Sequence, residues 1–395
     1  MTLGYPPASY ARARQAGLLA KAFAKDGIAR RLDWMLLLSC LALSVIGALL
    51  VWAATWNLPA MTGGSPQSMF HKHLLNLAIG LALAAFAALF DYRLLRAYTP
   101  VIYVLSVLGL MAVLSPLGST LNGAHSWIVL PAGFSVQPVE FAKVALVTGM
   151  AMLLSEKLDR EDAPRDSDVA QALALAVLPI GLVMLQPDLG SALVLGTIVL
   201  VVIAVSGARA RWVAGLIVVA SLGAFLAIKV GILSRYQIDR FTAFLHPSAD
   251  PRGLGFNTQQ ARIAIGTGGI WGQGLFQGKQ TNGHFVPYQW TDFVFSVAGE
   301  ELGLVGAAVI IGLFGLVLWR AYRIGLKAED LFGRCVAAGI IAWFAFQAFE
   351  NIGMCLGIMP VTGLPLPFVS YGGSSMFASW LAIGLLQNIH MKRYA

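Results

Sequence analysis

The stretch "GIMPVTGLPLPFVSYGGSSMFASW", residues 357–380, decides the fold because it places helix breakers inside an otherwise apolar sequence. Proline and glycine are both costly inside a helix. The breakers are Pro360, Gly363, Pro365, Pro367, Gly372 and Gly373. Non-helical backbone at membrane depth survives only where protein or a wet cavity satisfies its polar groups. The stretch therefore predicts a turn or re-entrant segment beside an outward-facing cavity, to which Ser370, Ser374 and Ser375 offer hydroxyl groups.

The rest of the composition predicts a membrane protein. Of 395 residues, 58% are hydrophobic and only 12% are charged, whereas about a quarter of the residues in soluble domains are charged. Apolar runs long enough to span hydrocarbon as helices recur, and the alternating pattern of a membrane β-barrel is absent. We therefore expect an all-α polytopic protein with about ten transmembrane helices. The predicted spans are residues 33–55, 72–91, 99–116, 138–156, 170–186, 189–206, 211–233, 293–320, 334–357 and 368–390.

The net charge of +8 does not indicate a nucleic-acid partner, because lysine and arginine cluster in the connecting segments on one side. Segments such as "DYRLLRAY", "GARARW" and "HMKRYA" are basic, whereas the opposite short loop "MPVTGLPLP" has no lysine or arginine. The positive-inside rule then predicts that both termini are cytoplasmic. We expect a cytoplasmic N-terminal arm over residues 1–32, without a cleavable signal, and a transmembrane domain over residues 33–395 in contact with membrane lipids.

One long loop, residues 234–292, is predicted on the extracytoplasmic side. Its segment "NTQQARIAIGTGG" predicts a half-length amphipathic helix that ends at Gly268 and Gly269. The cations of the loop either face solvent or attract the phosphate groups of an anionic ligand at the outer leaflet. They are Arg235, Arg240, Arg252, Arg262 and Lys279.

Ionisable residues inside the predicted spans are costly and usually functional. Glu140 and Lys143, in "QPVEFAKVAL", are three residues apart and can pair on one helix face. Glu300 and Glu301 fall in the eighth span and Glu350 in the ninth. Two interpretations stay open for all of them: buried pairing that fixes helix contacts, or a polar cavity that opens to the outer face.

Asp292, in "QWTDFVF", is the acid best placed for chemistry, because it lies where the long loop meets the eighth span. Either Asp292 or Thr291 caps the helix, or a partly desolvated Asp292 serves as a general base. Asp188, in "LQPDLGSAL", follows Pro187 at a tight turn and is predicted to be a cap. Trp127, in "NGAHSWIVL", is either an interfacial anchor or a stacking surface for a sugar ring.

These motifs together resemble a known family. The segment "NIGMCLGIMPVTGLPLPFVSYGGSS" is similar to the C-terminal signature of the SEDS (shape, elongation, division and sporulation) proteins. Its residues resemble those of the rod-shape, RodA-like branch of the family. Four further pieces agree in order: "NGAHSWIVL" with "FSVQPVEFAK", "QPDLGSAL", "DPRGLGFNTQQARIAIGTGGIWGQGL" and "TDFVFSVAGEELGLVG". The resemblance covers nearly the whole chain beyond the N-terminal arm.

The resemblance implies a ten-helix peptidoglycan glycosyltransferase that polymerises lipid II into β-1,4 glycan strands during cell elongation and releases undecaprenyl pyrophosphate. It also implies an active site outside the bacterial cytoplasmic membrane, and a class B penicillin-binding protein, a transpeptidase of the elongation machinery, as partner. Two alternatives stay open: a transporter that flips lipid II, and a non-catalytic scaffold.

The family pattern implies that Asp292 is required for polymerisation and that Trp127, Glu140 and Lys143 line the cavity. We expect Arg240, Arg262, Lys279 or a divalent cation, Mg²⁺ or Mn²⁺, to stabilise the departing pyrophosphate. The candidate substrate-binding residues are Trp127, Glu140, Lys143, Arg240, Arg262, Lys279, Ser370, Gly372, Gly373 and Ser374. The chain departs from the family at Ser126, where arginine is usual, and in "PYQWTDF", where it has Tyr288 and Trp290.

Overall fold

The computed structural model describes residues 28–58, 63, 65–90, 92–121, 124–129, 135–156, 164–230, 237, 238, 240, 242, 244 and 254–392. Most of the predicted N-terminal arm lies outside these residues, as do Arg235 and Arg252. In chain order the helices are α1 (Ile28–Arg31), α2 (Trp34–Thr55), α3 (Ser68–Leu89), α4 (Tyr92–Val113), α5 (Pro138–Ser155), α6 (Asp166–Leu185), α7 (Leu189–Val205), α8 (Ala210–Val230), α9 (Leu254–Gly268), α10 (Lys279–Asn282), α11 (Val294–Glu301), α12 (Gly303–Leu326), α13 (Leu331–Leu356) and α14 (Gly373–Lys392).

The helices confirm a multi-pass membrane architecture. Within the described residues, eight helices are long and apolar enough to cross a membrane, and α7 is a shorter apolar helix. Each predicted span overlaps one long helix, so the all-α prediction is confirmed and the count of ten is approximate. The predicted half-length helix of the long loop is α9, and it ends at Gly268 as expected.

Helices α5 and α13 form the centre of the bundle. Both are buried over most of their length, and α5 contacts α4, α6, α7, α13 and α14. Helix α14 lies along α3 at short range, since a β-carbon on Gly384 would clash with the carbonyl oxygen of Ala84. Helix α8 contacts α7 and is otherwise exposed, as expected for a helix that faces lipid.

The predicted eighth span is wrong in one respect, because the helix breaks near its start. Helix α11 ends at Glu301, and α12 begins at Gly303, whose φ of +67° favours glycine. The segment 269–274 fills the break: the amides of Leu304 and Val305 donate to the carbonyls of Gly269 and Ile270. Backbone polar groups exposed by the break are thereby satisfied inside the protein.

A small antiparallel sheet, which the sequence did not predict, lies in the loop between α4 and α5. Its strands are β1 (Gly118–Leu121), β2 (Ala124–Val129) and β3 (Ser135–Val136), in the order β1-β2-β3. Trp127 lies on β2 opposite Ser119. Strand β2 contacts α4 and α5, and β3 contacts α14, so the sheet holds Trp127 against the bundle.

Candidate functional site

A cavity of about 130 Å³ lies where the sheet, the turn between α6 and α7, helix α9 and the proline- and glycine-rich loop before α14 meet. Its lining mixes aromatic, hydroxyl, amide and charged side chains. The lining residues are Ser126, Trp127, Gln137, Pro187, Asp188, Arg240, Asn257, Tyr288, Thr291, Asp292, Phe293, Val361, Thr362, Gly363, Pro365, Tyr371, Gly372 and Ser375. The opening stretch of the sequence thus supplies several walls of this cavity, as its helix breakers predicted.

Asp292 lies in the turn before α11, with its side chain half-buried in the cavity. The amides of Thr291 and Asp292 both donate to the carbonyl of Tyr288, at 3.1 Å each. The residue before α11 is Phe293, and no side chain caps the helix there. The capping interpretation of Thr291 and Asp292 is therefore wrong, and the carboxylate is available to the cavity.

The electrostatic surroundings of Asp292 suit a general base. The pKa of its carboxyl is raised from 3.8 to about 7, chiefly by burial. A hydrogen bond from Thr291 and the charge of Arg240 lower the pKa, and the charge of Asp188 raises it. A base is most effective when its pKa lies near the working pH. Asp292 can therefore both accept and release a proton near neutral pH.

Arg240 brings a buried cation to the same place. Its Nη1 donates to the carbonyl of Thr362 at 2.9 Å. A β-carbon on Gly363 would lie 3.5 Å from Asp292 Oδ2 and 3.7 Å from Arg240 Nη2. The carboxylate and the guanidinium therefore face the same glycine, which places a positive charge beside the candidate base.

Asp188 was predicted as a cap, and this is confirmed because its Oδ1 accepts the amide of Ser191 at 3.0 Å. Asp188 has a second role that its sequence context did not predict, as a carboxylate in the cavity wall. Its Oδ2 accepts bonds from Ser191 Oγ at 2.8 Å and from Gln137 Nε2 at 3.3 Å. This second role could have been predicted, because the predicted spans place the turn of Asp188 on the same side of the membrane as Asp292.

The remaining candidates of the glycine-rich motif lie in or behind the cavity wall. Gly372 lines the cavity. Ser370 lies behind it, and its Oγ donates to the carbonyl of Thr291 at 2.5 Å. Ser374 accepts the amide of Gln137 at 2.9 Å, and Gly373 packs against Asn76. Contact of Ser370, Gly373 and Ser374 with a substrate stays a prediction.

Glu140 and Lys143 form the predicted ion pair, at 2.6 Å and fully buried. Neither is among the described residues that line the cavity. Lys143 Nζ also donates to Gln347 Oε1 at 3.0 Å, and Gln347 Nε2 donates to the carbonyl of Pro365 at 2.7 Å. The pair therefore reaches the cavity wall through Gln347, and direct contact with a substrate stays a prediction.

Two predicted cations lie outside the cavity wall. Arg262 is exposed on α9 beside Gly357, and Lys279 is exposed at the start of α10. Glu300 accepts the amides of Gln280 and Thr281, at 2.7 and 2.9 Å, which anchors α10 to α11. Arg240 is thus the predicted cation that the fold brings to Asp292, whereas substrate contact by Arg262 and Lys279 stays a prediction.

The described residues do not form a metal site by themselves. Over the part of the chain that the structure describes, no group of three or more histidine, cysteine, aspartate or glutamate side chains could hold an ion. The cavity offers two carboxylates, Asp188 and Asp292, and Arg240 lies next to one of them. A divalent cation would need further oxygen ligands from substrate or water.

Residues 33–395 match the family model of FtsW, RodA and SpoVE, described as "Cell cycle protein". The "Probable peptidoglycan glycosyltransferase FtsW" of Trichlorobacter lovleyi is 37% identical over 358 residues, which is 90% of this chain and 92% of that protein. The "Stage V sporulation protein E" of Bacillus subtilis is also 37% identical, over 90% of this chain and 96% of that protein. The "Peptidoglycan glycosyltransferase MrdB" of Escherichia coli is 34% identical, over 92% and 94%.

Solved structures agree with the sequence relatives. A chain from a peptidoglycan synthase complex, solved to explain the coordination of polymerization and crosslinking, superposes with a TM-score of 0.73 at 33% identity and covers 92% of this chain and 98% of its own. The rod shape determining protein RodA of Thermus thermophilus superposes with a TM-score of 0.67 at 31% identity, over 92% of this chain and 98% of its own.

Proposed function

The chain is a peptidoglycan glycosyltransferase that belongs to the FtsW, RodA and SpoVE family of cell cycle proteins, and we propose that it polymerises lipid II in the cavity lined by Asp292. The observation that carries the proposal is the half-buried Asp292 carboxylate, which faces Gly363 together with the Arg240 guanidinium. A base beside a cation is what transfer of a sugar from a pyrophosphate requires.

In the proposed reaction the 4-hydroxyl oxygen of an acceptor sugar attacks the anomeric carbon of a lipid-linked donor. The new carbon–oxygen bond forms as the bond from that carbon to the pyrophosphate oxygen breaks, so the α-linked donor yields a β-1,4 glycoside. The hydroxyl proton passes to Asp292, and undecaprenyl pyrophosphate leaves with the bonding electrons. Pyrophosphate is a good leaving group, so one base suffices where inverting glycosidases use an acid and a base.

Arg240 is proposed to stabilise the negative charge that develops on the departing pyrophosphate, since a buried guanidinium binds phosphate oxygens strongly. Trp127 and Tyr288, which both line the cavity, are proposed to stack on sugar rings. Arg262 and Lys279, which are exposed outside the wall, are proposed to contact the phosphates of the lipid before it enters.

We propose that the cavity opens to the extracytoplasmic side of the bacterial cytoplasmic membrane and that both termini are cytoplasmic. A class B penicillin-binding protein is the proposed partner, with a role in cell elongation. The similarity to a chain of a peptidoglycan synthase complex supports a crosslinking partner, and the similarity to RodA and MrdB supports the elongation role.

Purified chain, with its partner carrying an inactivated transpeptidase, is incubated with lipid II, and glycan strands are separated on gels. Wild-type protein should give long strands, whereas Asp292→Asn should give none while it folds and inserts into membranes normally. Strands of wild-type length from Asp292→Asn would remove Asp292 as the base. A parallel incubation with a chelator tests the proposed divalent cation: full activity there would exclude one.

The same preparation separates the two alternatives. A lipid II flippase would move labelled lipid between the leaflets of a liposome without forming polymer. A scaffold would leave polymerisation dependent on another enzyme, so strands made by the purified chain with an inactive partner would exclude it.

A further inference from the structure

One buried side chain joins the segment that carries Asp292 to the proline-rich loop. Asn351 lies near the end of α13 with no exposed surface. Its Nδ2 donates to the carbonyl oxygen of Asp292 at 2.7 Å and to the carbonyl oxygen of Leu364 at 2.7 Å. Because both partners are carbonyl oxygens, the amide nitrogen of Asn351 must face them.

Neighbouring bonds run between the same two segments. Ser370 Oγ donates to the carbonyl of Thr291 and accepts the amide of Leu366 at 2.8 Å. The amide of Tyr371 donates to the carbonyl of Trp290 at 2.9 Å. Several hydrogen bonds thus connect segment 290–292 to segment 364–371. The bond from Asn351 is the one made to the backbone of Asp292.

The helix breakers explain why such a bond is needed. In the loop before α14 the backbone is not helical, so the carbonyls of Leu364 and Pro365 lack helical partners and must be satisfied by other groups. Helix α13 supplies them one turn apart: Gln347 reaches Pro365, and Asn351 reaches Leu364. The second hydrogen of the Asn351 amide is donated to the carbonyl of Asp292, which fixes the Asp292 backbone relative to Leu364.

We propose that Asn351 is a positioning residue: its carboxamide fixes the main chain at Asp292 against the loop that carries Gly363, and so holds the carboxylate beside Arg240. This inference rests on the proposed function, in which Asp292 accepts the proton. Without the amide, the turn of Asp292 is free to move toward the cavity, and the rate of sugar transfer falls although the ligand-binding walls remain.

The test compares Asn351→Leu with Asn388→Leu. Asn388 is a matched control because its buried amide also bridges backbone carbonyls, those of Ala87, Ala88 and Phe90. It lies 15 residues into α14, roughly 22 Å along the helix from the cavity at 1.5 Å per residue. Turnover of lipid II is measured against pH, and hydrogen exchange is measured over residues 288–293 and 361–367.

Asn351→Leu should lower kcat by about tenfold or more while KM for lipid II changes by less than about threefold, as expected for a group that acts mainly in the transition state. The acid limb of its pH–rate profile should move to lower pH, because a carboxylate that moves toward water loses part of its burial. Exchange should accelerate in both segments together. Asn388→Leu should keep the wild-type acid limb and the wild-type exchange of these segments.

Asp292→Asn in the same assay distinguishes a failure of the proposed function from a failure of the positioning role of Asn351. If Asp292→Asn polymerises normally, the proposed function fails. If Asp292→Asn is inactive but Asn351→Leu keeps the wild-type kcat and acid limb, the positioning role alone is overturned. Equal loss of activity in both leucine variants, with the acid limb unmoved, would also overturn it. Should Asn351→Leu not fold, Asn351→Gln, which displaces the amide by one methylene, must show the same displaced limb, and a wild-type profile would refute the inference.

Discussion

At the scale of single residues, two carboxylates and one guanidinium set the protonation of the cavity. Burial is the largest influence on the pKa of Asp292, and Asp188 and Arg240 act in opposite directions. If Asp292 must be deprotonated to act, the rate should fall about tenfold for each pH unit below its pKa of about 7. A pH–rate profile of kcat with lipid II checks this, and a flat profile between pH 5 and pH 8 would contradict it.

Asp188→Asn should move this acid limb to lower pH. The variant removes the negative charge that raises the pKa of Asp292, and asparagine caps a helix as well as aspartate does, so α7 should stay folded. Arg240→Gln should move the limb the opposite way, since the cation that lowers the pKa is lost. Shifts of the same sign in both variants would show that charge is not the cause.

Asp292→Asn should stabilise the protein at high pH. Because the folded pKa of about 7 lies above the ordinary 3.8, the folded state binds a proton more tightly than the unfolded state does. Ionisation of the Asp292 carboxyl therefore lowers the free energy of unfolding. This loss begins as pH rises above about 3.8 and is complete above about 7. The melting temperature of Asp292→Asn in detergent should exceed that of wild type at pH 8, by more than at pH 5. A pH-independent difference would contradict this.

Sequence alone identified several residues that line this cavity, but not the residues behind the wall that hold them in place. Trp127, Arg240, Asp292 and Gly372 were predicted from residue type and local context, and they line one cavity. Asn351 gave no such signal, because an amide inside an apolar run reveals its partners only when distant carbonyls are brought to it. Its two acceptors are 59 and 13 residues away in the chain.

At the scale of elements, the loop before α14 depends on one glycine. Gly363 has φ +75°, and a β-carbon there would lie against both Asp292 and Arg240. Gly363→Ala should cost about 1–2 kcal/mol in stability for the left-handed backbone. It should also reduce polymerisation, because the added methyl group would occupy space that both the Asp292 carboxylate and the Arg240 guanidinium face. Gly312→Ala on α12 is the control: open space surrounds that position, so the helix should gain slightly. Gels of glycan strands and melting temperatures check both variants, and normal strands from Gly363→Ala would contradict the prediction.

The Glu140–Lys143 pair should behave as a buried ion pair on which the α5–α13 contact depends. Lys143→Met leaves a carboxylate buried without its cation, at a cost of about 3–5 kcal/mol. The double variant Glu140→Gln with Lys143→Met leaves no buried charge and should lose less than Lys143→Met alone. Melting temperatures of wild type, Glu140→Gln, Lys143→Met and the double variant check this. Asp166→Asn, in exposed pairs with Arg209 and Arg211, serves as a nearly neutral control. Additive losses would mean that the two charges do not interact.

Apolar length and helix-breaking residues predicted most of the helices. They failed where tertiary contacts determine the local backbone structure. The spans and α9 followed from apolar length and from Gly268. The break at Gly303 did not, because "VAGEELGLVG" reads as continuous helix until the segment 269–274 supplies partners for its backbone. The three-stranded sheet did not either, since its strands are only two to six residues long.

At the scale of the whole molecule, the chain has a polar end that carries the cavity and an opposite end with buried charge pairing. Helix α12 runs between them for 24 residues, roughly 36 Å at 1.5 Å per residue, which exceeds the hydrocarbon thickness of about 30 Å. Arg320 near its far end pairs with the buried Asp33 at the start of α2. The same end carries the basic segments, and by the positive-inside rule we propose that it is the cytoplasmic end.

This orientation can be tested with two single cysteines at opposite ends of α12. Gln277 and Glu329 are both exposed, the first beside α10 near the cavity end and the second in the turn after α12. The three native cysteines are buried, so they should contribute little background. In intact spheroplasts a membrane-impermeant maleimide should label Gln277→Cys, because in the proposed orientation that turn faces the outside. It should label Glu329→Cys only after the membrane is permeabilised. Labelling of Glu329→Cys in intact spheroplasts, with Gln277→Cys protected, would place the cavity on the cytoplasmic side, where a polymerase of the external cell wall could not work.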